Sequence, residues 1–149
     1  MIPDFDDNGL LPPGIHWATW NELYDKFGTT VHRKRLLVGL RTALQSLKQA
    51  GCRRVYINGS FVTAKEIPND FDACWDIDGV DINLLRQIDP ILLDFRDRRA
   101  LQKTKYLGEL FPNIQMNAPD GITWLEFFQI DRESGNRKGI IGINLEELL

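Results

Sequence analysis

The chain has 149 residues, of which 43% are hydrophobic and 26% are charged, and its formal net charge at pH 7 is −3. This size and composition predict a single globular domain over residues 1–149. The acidic net charge excludes a protein that coats nucleic acid through a general basic surface. No apolar run reaches the ~20 residues of a membrane span, and the acidic N-terminus lacks a signal region, so we expect a cytoplasmic protein with no membrane partner.

The first elements in the chain are an irregular arm and a short helix. Residues 1–15 are rich in Pro, Gly and Asp and predict an irregular N-terminal arm. Thr19 and Glu22 form a capping-box pattern that opens a helix through Phe27. Gly28 is expected to end this helix in a left-handed conformation.

A longer amphipathic helix follows, with Thr30 as its N-cap and Gly51 as its end. Its apolar face is predicted to pack in the core and consists of Leu36, Leu37, Leu40, Ala43, Leu44 and Leu47. The opposite face carries Arg33, Lys34, Arg41 and Lys48. We expect this charged face to be solvated, with phosphate contacts as the alternative.

Two predicted strands flank a polar loop that contains a proline. Residues 53–58 are β-branched and aromatic and predict the first strand, which Gly59 and Ser60 end. Residues 70–77 predict the second strand. Because side chains alternate along a strand, one face of it carries Asp70, Asp72, Cys74 and Asp76. The other face carries Phe71, Ala73, Trp75 and Ile77.

The second half of the chain predicts three further helical segments and two further strands. The helical segments are "DGVDINLLRQIDP", "RDRRALQKTKYLGELF" and "TWLEFFQI", the last of which has an aromatic stripe. The strands are "ILLDF", residues 91–95, and the closing strand "GIIGINL". A charged turn, "DRESGNRKG", precedes the closing strand.

The paired aspartates of the second strand predict a metal site. Aspartate is a poor strand former and is costly to bury without a partner. Two aspartates on one face of a strand therefore need a stabilising partner, and a bound cation is one such partner. Asp70 and Asp72 are close enough to share a hard cation such as Mg²⁺ through oxygen ligands. Gly59 allows a phosphate to approach the backbone, and the Ser60 amide and hydroxyl can donate to it.

This pattern resembles the signature of the polymerase-β-like nucleotidyltransferase superfamily: Gly59-Ser60, nine intervening residues, then Asp70-Phe71-Asp72. The resemblance implies an α/β (α+β) minimal nucleotidyltransferase fold, a small mixed β-sheet flanked by helices. It also implies that Gly59 and Ser60 contact nucleotide phosphates and that Asp70 and Asp72 bind Mg²⁺ or Mn²⁺. Longer stretches, such as "AGCRRVYINGSFVTAKEIPNDFDACWD", look like a family of small bacterial nucleotidyltransferase-like proteins whose name specifies no substrate.

The superfamily usually supplies a third carboxylate from a later strand. Asp94, near the end of the predicted strand over residues 91–95, is the expected third metal ligand and catalytic acid. Asp76 and Glu109 are the alternatives. Lys65, in the loop between the two halves of the signature, is expected to steer the triphosphate. The charged turn offers three possible contacts to a substrate tail: Arg132, Arg137 and Lys138.

Two classes of function are compatible with these residues. The first is an Mg²⁺-dependent enzyme that transfers a nucleoside monophosphate from a nucleoside triphosphate, expected to be ATP, to a hydroxyl of a protein, RNA or small molecule. The second is a catalytically inactive nucleotide-binding or interaction module, as one half of a toxin–antitoxin or phage-defence pair. The short chain favours dependence on something else, because polymerase-type enzymes usually add a separate helical or substrate-binding domain, and a partner protein is one candidate for this role.

Overall fold

The computed structural model describes residues 1–116 and 121–148, which form one mixed sheet flanked by helices. The strands in this part of the chain are β1 Gly14–Ala18, β2 Arg54–Asn58, β3 Phe71–Trp75, β4 Gly108–Pro112 and β5 Gly139–Asn144. The helices are α1 Trp20–Phe27, α2 Val31–Gln49, α3 Ile82–Ile88, α4 Arg96–Tyr106 and α5 Trp124–Phe128. The predicted small mixed sheet of an α+β protein is therefore confirmed. None of the described helices combines the length and the apolar character needed to cross a membrane.

The five strands lie in the order β1-β5-β2-β3-β4. β1 is parallel to β5 and β3 is parallel to β4, whereas β2 is antiparallel to both of its neighbours, β5 and β3. In the register, Asn58 of β2 lies opposite Asp72 of β3, and Asp72 lies opposite Glu109 of β4. Because residues opposite each other share a face, these three polar side chains meet on one surface of the sheet.

The two faces of the sheet bury different sets of side chains. The larger core packs α1 to α4 against one face and includes Phe71, Ala73 and Trp75 of β3. The smaller core packs α5 against the other face and is formed by Tyr56, Cys74, Phe111, Phe128 and Ile140. The alternation predicted for β3 is therefore confirmed, and the face that carries Asp72 is the one that α5 covers only in part.

The predicted start of the chain needs two corrections. β1 begins at Gly14, so the irregular arm is two residues shorter than expected, and this strand was not predicted. The capping box of α1 is confirmed, because the Thr19 hydroxyl accepts from the Glu22 amide and the Glu22 carboxylate accepts from the Thr19 amide, each at 3.1 Å. Gly28 ends α1 but with φ of −84°, so the expected left-handed closure is wrong.

The predicted strand over residues 91–95 is also wrong. Pro90–Leu93 forms a short 3-10 helix instead. Proline favours the first turn of a helix, and a run as short as residues 91–95 does not by itself distinguish a strand from a helix. A second strand that was not predicted is β4, whose residues were predicted to end a helix. The helix α4 ends earlier, at Tyr106, and Leu107 follows it with φ of +64°.

Gly39 is expected to be essential for the packing of α2 against α4. A Cβ atom at Gly39 would lie 1.9 Å from the carbonyl oxygen of Tyr106. In an exposed helix, alanine is more favourable than glycine by about 1 kcal/mol. Here Gly39→Ala must separate two helices, and this cost outweighs the gain in helix propensity, so we expect the free energy of unfolding to fall by about 1–3 kcal/mol. Urea denaturation measures this change.

The control for this prediction is Thr42→Ala, an exposed position on the same helix. We expect it to change the free energy of unfolding by less than about 0.5 kcal/mol. A Gly39→Ala variant as stable as the wild type would show that α2 and α4 do not pack as described.

Candidate functional site

Three carboxylates meet at one end of the sheet and form an acidic cluster: Asp70, Asp72 and Glu109. Each contributes an oxygen atom, and the three oxygens lie within 4.8 Å of one another. The register explains the arrangement, because Asp72 and Glu109 are opposite each other on β3 and β4 and Asp70 lies two residues before Asp72. Carboxylate oxygens at this spacing suit a hard divalent cation.

Asp94 is not a member of the acidic cluster. Its carboxylate accepts hydrogen bonds from Arg96, at 3.0 Å from Nε and 2.6 Å from Nη2. These hydrogen bonds lower the pKa of Asp94. Asp94 and Arg96 line a separate cavity with Arg86 and Pro90. The expectation that Asp94 lies beside Asp70 and Asp72 is therefore wrong, because the strand that was to carry it is a 3-10 helix. Glu109, one of the two alternatives, lies there instead.

Asp76 and Lys65 also lie apart from the expected arrangement. Asp76 follows the opposite end of β3, where its carboxylate accepts a hydrogen bond from the Tyr56 hydroxyl at 3.3 Å. Lys65 is exposed and lines a different cavity, together with Phe5 and Lys26, although its charge partly opposes the rise in the pKa of Asp70 that burial causes. Neither side chain contributes to the group of three carboxylates.

Asp70 and Asp72 are not directly paired with a cation or a hydrogen-bond donor in the described part of the chain. Burial, followed by the charges of Asp70 and Glu109, raises the pKa of Asp72 to about 6. Burial and then the Glu109 charge also raise the pKa of Asp70. A bound cation would relieve this repulsion.

The raised pKa of Asp72 predicts a pH-dependent stability. An unfolded aspartate has a pKa near 3.9, so its proton is lost earlier in the unfolded chain than in the folded protein. The contribution of Asp72 to stability is therefore complete below about pH 4 and is lost as the pH rises through about 6. Between about pH 4 and pH 6, we therefore expect the metal-free wild type to lose stability relative to Asp72→Asn. Thermal unfolding of both proteins in EDTA measures this difference. Parallel pH profiles for the two proteins would contradict this prediction.

Glu109 differs from the two aspartates because it has cationic partners. Its carboxylate is 2.9 Å from Nε of Arg99 and 3.1 Å from Nζ of Lys103, both on α4. These ion pairs fix the orientation of the Glu109 side chain and neutralise part of its charge. The acidic cluster thus contains two unpaired carboxylates and one that is held in place by α4.

The Gly59-Ser60 turn lies beside Asp72, as the sequence predicted. Gly59 has φ of +85°, and a Cβ atom there would lie 3.0 Å from Oδ2 of Asp72. The turn and Asp72 line a cavity of about 330 Å³, to which Asn58 and Lys138 also contribute. We call it the Asp72 cavity. Its size is sufficient for a small phosphate-bearing ligand.

Asn58 is a site residue that sequence analysis missed. Its side chain lines the Asp72 cavity, and the residue is only 6% exposed. Within the described part of the chain, its Oδ1 atom has no hydrogen-bond partner. A buried carbonyl without a partner costs about 1–3 kcal/mol, so this amide is suited to a ligand. The signal in the sequence is an asparagine, a poor strand former, at the end of an apolar strand.

The charged turn also lines the Asp72 cavity, to which it contributes two acids, Asp131 and Glu133, as well as two cations. Arg132 and Lys138 line this cavity, whereas Arg137 donates a hydrogen bond to Gln129 at 3.3 Å. The positive charges of Arg132 and Lys138 partly oppose the rise in the Asp72 pKa that burial causes. Burial lowers the pKa of Lys138. Two of the three cations expected to bind a substrate tail thus face the acidic cluster.

Arg33 holds the loop that follows the Gly59-Ser60 turn. It was expected on a solvated helix face, but it is only 4% exposed. Its guanidinium donates to the carbonyl oxygens of Phe61 at 2.7 Å and Thr63 at 3.0 Å, and also to that of Lys65. The expectation of a solvated side chain is wrong because the loop folds back over α2 and covers Arg33.

The fold and the site together define a mixed α+β protein with a cluster of carboxylates beside a glycine-containing turn. The chain belongs to a protein family described as "Family of unknown function (DUF6932)", which matches residues 3–144. Comparison with curated proteins and comparison with solved structures give no match.

Proposed function

We propose that the protein is a nucleotidyltransferase, which transfers a nucleoside monophosphate from a nucleoside triphosphate to a hydroxyl group of a protein, RNA or small molecule. The expected nucleoside triphosphate is ATP. The observation that carries this proposal is the convergence of Asp70, Asp72 and Glu109 beside the Gly59-Ser60 turn. The likeness of this turn and the Asp-Phe-Asp segment to the polymerase-β-like signature supports the same reaction. A nucleoside triphosphate substrate also agrees with the cytoplasmic location that we propose.

The residues present fit a divalent cation such as Mg²⁺ or Mn²⁺. Asp70, Asp72 and Glu109 would hold it, because these ions prefer carboxylate oxygens. When bound, the cation supplies positive charge that stabilises the phosphoryl group during transfer.

The other cavity residues have separate roles in the proposed reaction. Gly59 lets the triphosphate approach the backbone, and the amide and hydroxyl of Ser60 donate hydrogen bonds to its oxygens. Lys138 and Arg132 bind the negative charge of the leaving pyrophosphate. Asn58 offers a buried amide to a polar group of the nucleotide.

A second candidate function is a catalytically inactive nucleotide-binding or interaction module, working with a partner protein in a toxin–antitoxin or phage-defence pair. The observation that favours this alternative is the pairing of Glu109 with Arg99 and Lys103. A carboxylate with two cationic partners is a weaker metal ligand and a weaker base than a free one. Nucleotide binding without turnover is the expected behaviour of such a module.

Radiolabelled nucleotides distinguish the two candidates. The full chain is incubated with each α-³²P-labelled nucleoside triphosphate, Mg²⁺ or Mn²⁺, and a total cell extract, with EDTA as the control. We expect label in an acceptor with metal and its loss in EDTA. Nucleotide binding without labelling would support the inactive nucleotide-binding module. No binding of any nucleotide would contradict both the enzyme and the nucleotide-binding module, and would leave an interaction module as the second candidate.

Two substitutions in the turn test the binding of the triphosphate. We expect Gly59→Val to abolish ATP binding, because its side chain would lie against Asp72 and in the cavity, at a φ that β-branched residues rarely adopt. Ser60→Ala removes one hydrogen bond to a charged group and should weaken binding by about 1–2 kcal/mol. Isothermal titration calorimetry measures both affinities. Unchanged affinity in Gly59→Val would place the triphosphate elsewhere.

A further inference from the structure

The acidic cluster lies between two cavities. Asp72 lines the cavity described above, whereas Asp70 lines a second cavity of about 260 Å³, which we call the Asp70 cavity. The Asp70 cavity is formed between α2, the loop before β3 and α4, and its side chains include His32, Arg35, Asn69, Asp70 and Lys103. Because both aspartates belong to one cluster, molecules in the two cavities would reach the same carboxylates from different sides.

Two cations, Arg35 and Lys103, line the Asp70 cavity together with one carboxylate, that of Asp70. Arg35 is exposed, and within residues 1–116 and 121–148 its guanidinium has no hydrogen bond or ion pair. Lys103 lies 3.1 Å from Glu109 and brings a second cation to the same edge of the cluster. Since the whole chain has a net charge of −3, this basic lining is a local feature. It favours a ligand that carries negative charge.

We propose that the Asp70 cavity binds the acceptor of the transfer reaction and that this acceptor carries a phosphate group bound by Arg35. The inference rests on the nucleotidyl transfer proposed above. In such a transfer the attacking and leaving oxygens lie on opposite sides of the phosphorus atom, so donor and acceptor need separate cavities that meet at the reacting centre. The planar guanidinium of arginine is well suited to phosphate, because it forms paired hydrogen bonds.

The proposed transfer forms one bond to the α-phosphorus and breaks another. The hydroxyl oxygen of the acceptor forms a bond to the α-phosphorus of the nucleoside triphosphate. The bond between the α-phosphorus and the oxygen that bridges to the β-phosphorus breaks, and pyrophosphate leaves with the electron pair. The hydroxyl proton passes to a carboxylate of the acidic cluster and then to water.

The size of the Asp70 cavity limits the acceptor. Its volume, about 260 Å³, is at or below the range of ~300–1,000 Å³ that is common for pockets of drug-sized ligands. It can enclose one small group, either a free phosphate ester or the last nucleotide of an RNA. The two sources share the chemistry of a phosphate close to a hydroxyl group.

Pairs of probes with and without phosphate test this inference. Glycerol 3-phosphate is compared with glycerol, and the oligoribonucleotide pApApA is compared with adenosine. Binding to the full chain, without ATP, is followed by NMR through the amide resonances of Asn69 and Leu107. We expect at least one phosphate-bearing probe to bind about tenfold or more tightly than its counterpart. Which probe binds identifies the source of the phosphate.

Arg35→Gln is the test variant and Arg86→Gln, an exposed arginine on α3, is the control. We expect Arg35→Gln to weaken binding of the phosphate probe about tenfold or more and Arg86→Gln to leave it unchanged. The affinity for ATP with Mg²⁺ should be the same in the wild type and Arg35→Gln, because Arg35 does not line the Asp72 cavity.

The outcomes separate this inference from the proposed function. Specific probe binding that depends on Arg35, with no nucleotidyl transfer by the wild type, would contradict the proposed function but support a phosphate site in the Asp70 cavity. Equal binding of the phosphate probes by the wild type and Arg35→Gln would overturn the inference. Equal transfer to acceptors with and without phosphate would also overturn it.

Discussion

Asp72→Asn is expected to abolish nucleotidyl transfer and most of the binding of Mg²⁺. Asp72 contributes an oxygen to the acidic cluster and also lines the cavity proposed for the triphosphate. Losing a charged ligand at such a site costs several kcal/mol of transition-state stabilisation, so the rate should fall by roughly 10³-fold or more. Transfer of α-³²P label and calorimetry with Mg²⁺ measure the two losses.

The same variant should fold at least as well as the wild type. Burial and the neighbouring carboxylates disfavour the charged form of Asp72, and the neutral amide of asparagine avoids this cost. An unchanged or higher melting temperature in EDTA would therefore show that the loss of activity is not a loss of structure. Transfer at the rate of the wild type would remove Asp72 from the reaction.

Asp94→Asn is the matched control, because it changes an equivalent carboxylate that pairs with Arg96 outside the cluster. We expect full transfer by Asp94→Asn and a large loss in Glu109→Gln, since Glu109 lies with Asp70 and Asp72. A large loss of transfer in Asp94→Asn together with full transfer by Glu109→Gln would restore Asp94 as the third acid and contradict the position of β4 beside β3.

Arg33→Met is expected to have the largest effect on stability. The substitution removes the donors to the carbonyl oxygens of Phe61, Thr63 and Lys65, which lie in the loop after the Gly59-Ser60 turn. The Phe61 carbonyl is buried and would lose about 1–3 kcal/mol without a donor, whereas those of Thr63 and Lys65 are only partly buried and would lose less. We therefore expect the free energy of unfolding to fall by roughly 2–4 kcal/mol. Denaturation in urea measures the change.

Lys34→Met is the control for Arg33→Met, because Lys34 is its exposed neighbour on α2. It should change the free energy of unfolding by less than about 0.5 kcal/mol. We also expect Arg33→Lys to recover only part of the stability, because one ammonium group cannot reproduce the planar fork of donors. A stable Arg33→Met protein would mean that water can reach these carbonyl groups.

Local patterns were sufficient to predict much of the fold. The capping box at Thr19 and Glu22, the leucine face of α2 and the alternation of β3 each depend on residues close in sequence. The prediction that Asp70 and Asp72 lie side by side also depended only on the alternation of side chains along one strand, and the structure confirms that they are close together. Such patterns report the periodicity of an element directly.

The features that were missed depend on contacts between distant residues. Glu109 belongs to the site because β4 pairs in parallel with β3, and nothing in "LGELFP" itself specifies this partner. Arg33 is buried because a loop about thirty residues later accepts its hydrogen bonds. Asn58 is a site residue because Asp72 lies opposite it. Sequence periodicity gives the face of an element but not the element against which it packs.

The order of the strands has a consequence for how the protein folds during synthesis. β5 is the last strand of the described chain, yet it lies between β1 and β2 and joins them. Until β5 has left the ribosome, β1 has no neighbour in the sheet and β2 has an unpaired edge. Such long-range pairing slows folding and leaves strand edges exposed in the incomplete chain. A chain that ends before Gly139 should therefore be more prone to aggregate than one that includes β5.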